Sequence, residues 1–209
     1  MNYLDELIQR YPALAECKVN IQKADSLLLD TYMCGGKILV CGNGGSCADS
    51  DHIVGELMKG FMLERKMNDK TAAFFKKELG DEADIFIDKL QCGIPAISLT
   101  SQNAVLSAYA NDADAELMYA QLVFGYARKG DLLICLSTSG NSKNVVNAAK
   151  VAKALGIASV ALTGKNESVL SKLCDCTIRV PESETFKIQE LHLPVYHYLC
   201  ATLENKLFG

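Results

Sequence analysis

No excess of basic residues runs through this chain: 21 Lys and Arg stand against 25 Asp and Glu, a formal net charge of −4. A protein that grips the phosphate backbone of nucleic acid needs a basic face, so direct nucleic-acid binding is excluded as the expected role. No apolar run approaches the roughly 20 residues that cross a bilayer, and no membrane partner is expected. The opening MNYLDELIQRYP is acidic and amphipathic and carries no signal-peptide pattern, which makes the cytoplasm the expected compartment. Histidine is scarce, with only His52, His192 and His197. Cysteine is plentiful, but the nine are odd in number and scattered through apolar segments, Cys41 and Cys135 in strand-like runs and Cys200 in a helical one. They read as reduced core residues rather than a disulfide framework.

The 209 residues, 49% of them hydrophobic, suit a single domain with a sizeable core. Its most informative stretch is KILVCGNGGSCADSDHIVGE at 37–56. A branched apolar run from Lys37 to Cys41 predicts a strand, Gly42-Asn43-Gly44-Gly45-Ser46 breaks it, and a helical pattern follows from about Cys47. Glycines there allow close backbone approach, and N–H groups at the helix start favour an anion near Ser46, most often a phosphate. The same helix carries His52 and Glu56, four residues apart and so on one face. That spacing presents a nitrogen and a carboxylate to one metal or substrate, and it equally suits a solvated helix face.

Before this unit, residues 1–36 form an N-terminal helical segment interrupted near Pro12, with packing or subunit contact as its default role. After it, 66–91 is a charged tract whose Phe74, Phe75, Leu79, Ile85, Phe86 and Leu90 predict two short helices about Gly80-Asp81, packing rather than disordered. Ile94–Thr100 is a second strand candidate and Gln102–Tyr109 a short helix, followed by the polar break Asn111-Asp112 and a helix over Asp114–Ala127. Leu132–Leu136 is a buried-looking strand that runs into Ser137-Thr138-Ser139-Gly140-Asn141-Ser142 and an amphipathic helix over Lys143–Leu155. A hydroxyl-rich turn at a helix start offers O–H and N–H donors to a phosphate when no Lys or Arg is at hand, whereas a simple helix cap needs one such residue. Strands at Ile157–Thr163 and Cys176–Val180 and a long helical pattern over Glu184–Phe208 complete the chain, and Pro194 inside that pattern removes a helix hydrogen bond, so a kink or a late start is expected. This alternation predicts an α/β fold with a parallel sheet covered on both faces and ligands beyond the carboxyl ends of its strands.

CGNGGSCADSDHIVGEL, Asn111-Asp112, LSTSGNSKNVVNAAKVAKALGI, ALTGK and RVPESETFKIQELHLPVYH, in that order and spacing, resemble the sugar isomerase (SIS) domain family, and within it the phosphoheptose isomerases. The resemblance implies one SIS domain over 1–209 with 66–91 as a helical insertion, built as a five-stranded parallel sheet flanked by helices in a Rossmann-like three-layer sandwich. It implies sugar-phosphate contacts from Asn43, Gly44, Gly45, Ser46, Ser137, Thr138, Ser139 and Ser142, with Asn111 and Asp112 on the sugar. His52, Glu56, Gln189 and His197 correspond to a zinc-binding, catalytic cluster, with Glu56 and Gln189 also touching substrate. Glu56 is then the candidate base and His197 the candidate acid of an aldose–ketose isomerase working through an enediol, with sedoheptulose 7-phosphate as the expected substrate. The family's usual assembly is a homotetramer with active sites at subunit interfaces, the C-terminal helix of one subunit against another's glycine turn. A SIS-type sugar-phosphate sensor or partner-binding protein without turnover is the alternative.

Overall fold

The computed structural model describes residues 3–209. Five strands form one parallel sheet: β1 (Ile38–Gly42), β2 (Ala96–Ser98), β3 (Leu132–Leu136), β4 (Ala158–Thr163) and β5 (Cys176–Arg179), in the order β2-β1-β3-β4-β5. Strand side chains alternate between faces, and the two cores follow that alternation. Ile38 and Val40 of β1 with Leu132, Ile134 and Leu136 of β3 join one cluster, while Leu39, Cys41, Leu133 and Cys135 join the other.

The first cluster is covered by α1 (Tyr3–Arg10), α2 (Lys18–Met33), α3 (Gly45–Met58) and α10 (Thr185–Phe208), which contribute Leu4, Leu7, Ile21, Leu28, Ile53, Leu57, Val195 and Leu199. The N-terminal helical segment is thus a packing element, with a 3₁₀ turn over Pro12–Cys17 at the predicted interruption. The second cluster is covered by α7 (Met118–Tyr126) and α8 (Lys143–Leu155), with α9 (Val169–Leu173) at its edge. Both turns singled out in the sequence leave the carboxyl ends of neighbouring strands, since β1 and β3 pair in register from Ile38↔Leu132 to Gly42↔Leu136.

Several elements differ from expectation. The Ile94–Thr100 strand shortens to Ala96–Ser98, and Leu99–Ser101 turns into a 3₁₀ helix that lets the Thr100 and Ser101 hydroxyls donate to Asp51 of α3. The Asn111-Asp112 break lies in a π-helical segment, Ala110–Asp114, following α6 (Asn103–Tyr109). The next α-helix begins only at Met118, because the Asp114 side chain accepts from Glu116 N–H and starts a 3₁₀ turn first. Pro194 neither stops nor delays the last helix: α10 runs unbroken for 24 residues, with Pro194 buried and the flanking Val195 in the core cluster that includes β1 and β3 side chains. His192 is a fully buried histidine in this helix, its pKa pulled down to about 4 by burial, with the Thr163 backbone acting in the opposite sense.

The 66–91 tract folds as α4 (Asp69–Leu79) and α5 (Ala83–Lys89) joined by a 3₁₀ turn over Gly80–Glu82. The helices pack, but on each other: the Phe75 and Phe86 rings lie 6.3 Å apart, and Lys76 pairs with Asp84 at 2.6 Å. None of the α4 residues is buried, and Phe74, Ile85, Phe86 and Leu90 remain exposed. A narrow neck ties this hairpin to the sheet, through an antiparallel bridge between Lys66 and Gln91 and a 2.7 Å bond from Cys92 N–H to Arg65 O.

Candidate active site

Helix α3 begins straight after β1. Gly44, at φ +58°, makes the sharp reversal, a left-handed backbone that favours glycine. Ser46 and Cys47 N–H bond back to the Asn43 and Gly44 carbonyls, so Ser46 is buried and its N–H is spent inside the turn. Beyond it stands Gln189 of α10: a Cβ on Gly45 would lie 2.6 Å from the Gln189 Nε2, so only glycine lets that amide rest on the turn. The C-terminal helix therefore meets the glycine turn within a single chain. Asn43 forms a reciprocal amide pair with Asn144 of α8, at 2.8 and 3.0 Å, which ties the glycine turn to the serine turn.

About two turns further along α3, His52 Nε2 lies 3.3 Å from Glu56 Oε1, and His197 Nε2 of α10 lies 3.5 Å from the same His52 nitrogen. Glu56 is held through its backbone as well as its side chain. Arg65 donates to the carbonyls of Glu56 (3.0 Å) and Leu57 (2.5 Å), supplying the donors that the last turn of a helix lacks. Arg65 is itself paired with Glu204 at 2.7 Å, both side chains wholly buried, and Glu204 also accepts from Phe61, Met62 and Leu63 N–H. Burial pushes the Glu204 carboxyl up, but the Phe61 and Met62 N–H groups and Arg65 outweigh it and leave its pKa below the ordinary value. His197 is pulled below the ordinary histidine range by burial and by His52, with Glu56 opposing.

Behind His52 stands a pair that the sequence did not single out. Tyr196 OH lies 3.0 Å from His52 Nδ1 and 3.2 Å from Asp49 Oδ1. Asp49 is raised by burial, with the Tyr196 hydrogen bond and His52 acting against that rise. A carboxylate three residues before a histidine is a common helix pattern, so only the tertiary contact with α10 marks it out.

The serine turn after β3 keeps its hydroxyls off its own helix. Ser142 occupies the N-cap position of α8 without a side-chain cap, and its Oγ instead faces Ser137 Oγ at 3.1 Å. Ser139 Oγ accepts from Asn141 N–H at 3.2 Å. Thr138 and Ser139 border a polar cleft of about 380 Å³ that is also lined by Gly164, Lys165, Ser183 and Thr185. Lys165, carried in the sequence by ALTGK with nothing local to tie it to Ser139, lines the same cleft, as do Glu167 and Glu182. Asn111 and Asp112 are exposed and hydrogen-bonded to each other at 2.8 Å, and among the described residues no bond joins them to the other candidates.

His52 Nε2 stands 3.3 Å from Glu56 Oε1 and 3.5 Å from His197 Nε2, close to the roughly 3.3 Å between nitrogen and oxygen ligands about 2.0–2.1 Å from a tetrahedral zinc, and imidazole and carboxylate are zinc ligands by type. Among the described residues, no three His, Cys, Asp or Glu side chains are gathered into a group that could hold a metal; Gln189 is of a type outside that set.

Residues 94–202 match a family model described as SIS domain, and residues 2–85 match a second model of the same description. The phosphoheptose isomerase of Aliarcobacter butzleri is 37% identical over 187 residues, covering 90% of this chain and 85% of that protein. The chain belongs to the phosphoheptose isomerase family of SIS domain proteins. Among solved structures, the family member from Neisseria gonorrhoeae matches at a TM-score of 0.70 and 29% identity, over 96% of this chain and 93% of that one. Another, from Francisella tularensis, matches at 0.74 and 26% identity over 98% and 100%. The phosphoheptose isomerase fold therefore extends over nearly the whole chain, and residues 86–93, where the α4–α5 hairpin returns to the sheet, fall between the two matched ranges.

Proposed function

We propose that this protein is an aldose–ketose isomerase of phosphorylated sugars, converting sedoheptulose 7-phosphate to D-glycero-D-manno-heptose 7-phosphate through an enediol. The observation that carries the reading is the convergence of Glu56, His52 and His197 from two helices in a chain of the phosphoheptose isomerase family. The reaction moves a proton between neighbouring carbons, so it needs a base on carbon and an acid for the carbonyl oxygen. Glu56, half-buried, takes the carbon proton. His197, held below the ordinary range, serves the oxygen. The Ser137, Thr138, Ser139 and Ser142 hydroxyls, the Asn43-Gly44-Gly45 turn and Lys165 hold the phosphate, with Ser46 supporting the turn from beneath. Asn111, Asp112 and Gln189 contact the sugar.

The same cluster is proposed to hold one zinc through His52, Glu56, Gln189 and His197. When bound, zinc supplies Lewis acidity to the sugar carbonyl. Glu56 has an oxygen for each of its tasks, Oε1 toward His52 and Oε2 toward Lys59 at 3.2 Å. A homotetramer with active sites at subunit interfaces is the proposed assembly, supported by the apolar residues that α4 and α5 leave uncovered in one chain. A cytoplasmic setting is proposed from nine free cysteines, and no helix among the described residues is long and apolar enough to cross a membrane.

An assay of purified protein with sedoheptulose 7-phosphate tests this, with a chelator added and then excess zinc. Turnover that the chelator removes and zinc restores is the expected result. Clear binding of the sugar phosphate with no turnover under any condition would overturn the enzyme reading and select a sugar-phosphate sensor.

A further inference from the structure

We propose that Asp49 and Tyr196 are positioning residues that hold His52 with its Nδ1 protonated and its Nε2 lone pair turned toward Glu56 and His197. The use made of that lone pair rests on the isomerase reading; the order of hydrogen bonds does not.

The order follows from counting protons. Tyr196 is 2% exposed, and its hydroxyl has two neighbours, Asp49 Oδ1 at 3.2 Å and His52 Nδ1 at 3.0 Å. A phenol has one proton to give, and an ionised carboxylate can only accept. Asp49 Oδ2 is buried without a partner, so Oδ1 carries all of that carboxylate's hydrogen bonding. A buried carboxylate left without donors is costly, and the Tyr196 proton therefore goes to Asp49. The phenolic oxygen then accepts from His52 Nδ1–H, and a neutral imidazole with that nitrogen protonated has a bare Nε2. The Tyr196 ring also packs edge-on against both imidazoles, with centroids 5.4 Å from His52 and 5.1 Å from His197, which restrains ring rotation. A lone pair 3.3 Å from a Glu56 oxygen is a repulsive arrangement until a proton or cation sits between them. The outer pair thus keeps the junction ready to receive one. The reverse chain, with a protonated Asp49 donating to Tyr196 and Tyr196 to Nδ1, would place the proton on Nε2 and fill the junction in advance.

Long-range proton–nitrogen correlation spectra of ¹⁵N-histidine-labelled protein, chelator-treated at neutral pH, separate the two orders. The His52 signals are identified by their loss in His52→Gln. The expected result is the Nδ1–H tautomer for His52 in the unmodified chain, and a shift toward Nε2–H in Tyr196→Phe, which keeps the ring and removes the hydroxyl. Asp49→Ala, which removes the acceptor and frees the phenol proton to donate to Nδ1, gives the same shift and serves if Tyr196→Phe does not fold. An Nε2–H tautomer in the unmodified chain, or an unchanged tautomer in the folded variants, would overturn the proposal. Absence of isomerase turnover would leave these spectra as they are, so the two readings fail separately.

Discussion

At Glu56, one carboxylate oxygen faces an imidazole and the other a lysine, while the backbone carbonyl is pinned by Arg65. A side chain so fixed can lose its charge without losing its place. Glu56→Gln is therefore expected to lower turnover by about 10²–10⁴-fold, the range of a lost general base, with sugar-phosphate binding retained by calorimetry. Full activity in that variant would remove Glu56 from the chemistry. The serine turn gives a second expectation. Ser137 and Ser139 donate only to the phosphate in the proposed pose, so replacing both with Ala should weaken phosphorylated ligands about tenfold or more and leave the unphosphorylated sugar nearly unaffected. Equal weakening of both ligands in a titration would place the phosphate elsewhere.

Helices α3 and α10 meet at the site, and Glu204 fastens them together with the 61–65 loop by accepting from three backbone N–H groups and Arg65. Glu204→Gln leaves Arg65 buried and uncompensated, and breaking such a pair costs about 3–5 kcal/mol, measurable by urea unfolding. Because the folded pKa of Glu204 lies below its unfolded value, its contribution is full above that unfolded value and is lost as pH falls through the folded one. The stability of the unmodified chain should therefore fall more steeply than that of Glu204→Gln on acidification. Much of this architecture was legible at the level of elements: α8 falls on Lys143–Leu155 as its periodicity predicts, and β3 on Leu132–Leu136. His52 and Glu56 were legible because both lie on one helix face, whereas Asp49, Tyr196, Arg65 and Glu204 act across 139 to 147 residues of chain, beyond any local pattern. β2 was overread because an apolar run does not reveal that its last residues turn toward a carboxylate on a neighbouring helix.

For the molecule as a whole, the α4–α5 hairpin is the departure from a plain five-stranded core. Replacing 66–89 with a short glycine linker should yield smaller assemblies by light scattering if exposed Phe74, Ile85 and Phe86 are covered by a second copy. An unchanged assembly with an altered Michaelis constant would make the hairpin a cap over the pocket, and no change in either would show that it serves neither. The neck at Lys66 and Gln91 has a further consequence, for time rather than shape. Helices that bury little against the body can unravel without unfolding it, and regions with few buried contacts open at a small fraction of the global free energy. In a single chain, amide hydrogens of α4 and α5 would then trade with solvent deuterium early, while those of β1, β3 and β4, paired on both sides, wait for the entire molecule to open. The hairpin can come and go on its own clock while the geometry around Glu56 stands still.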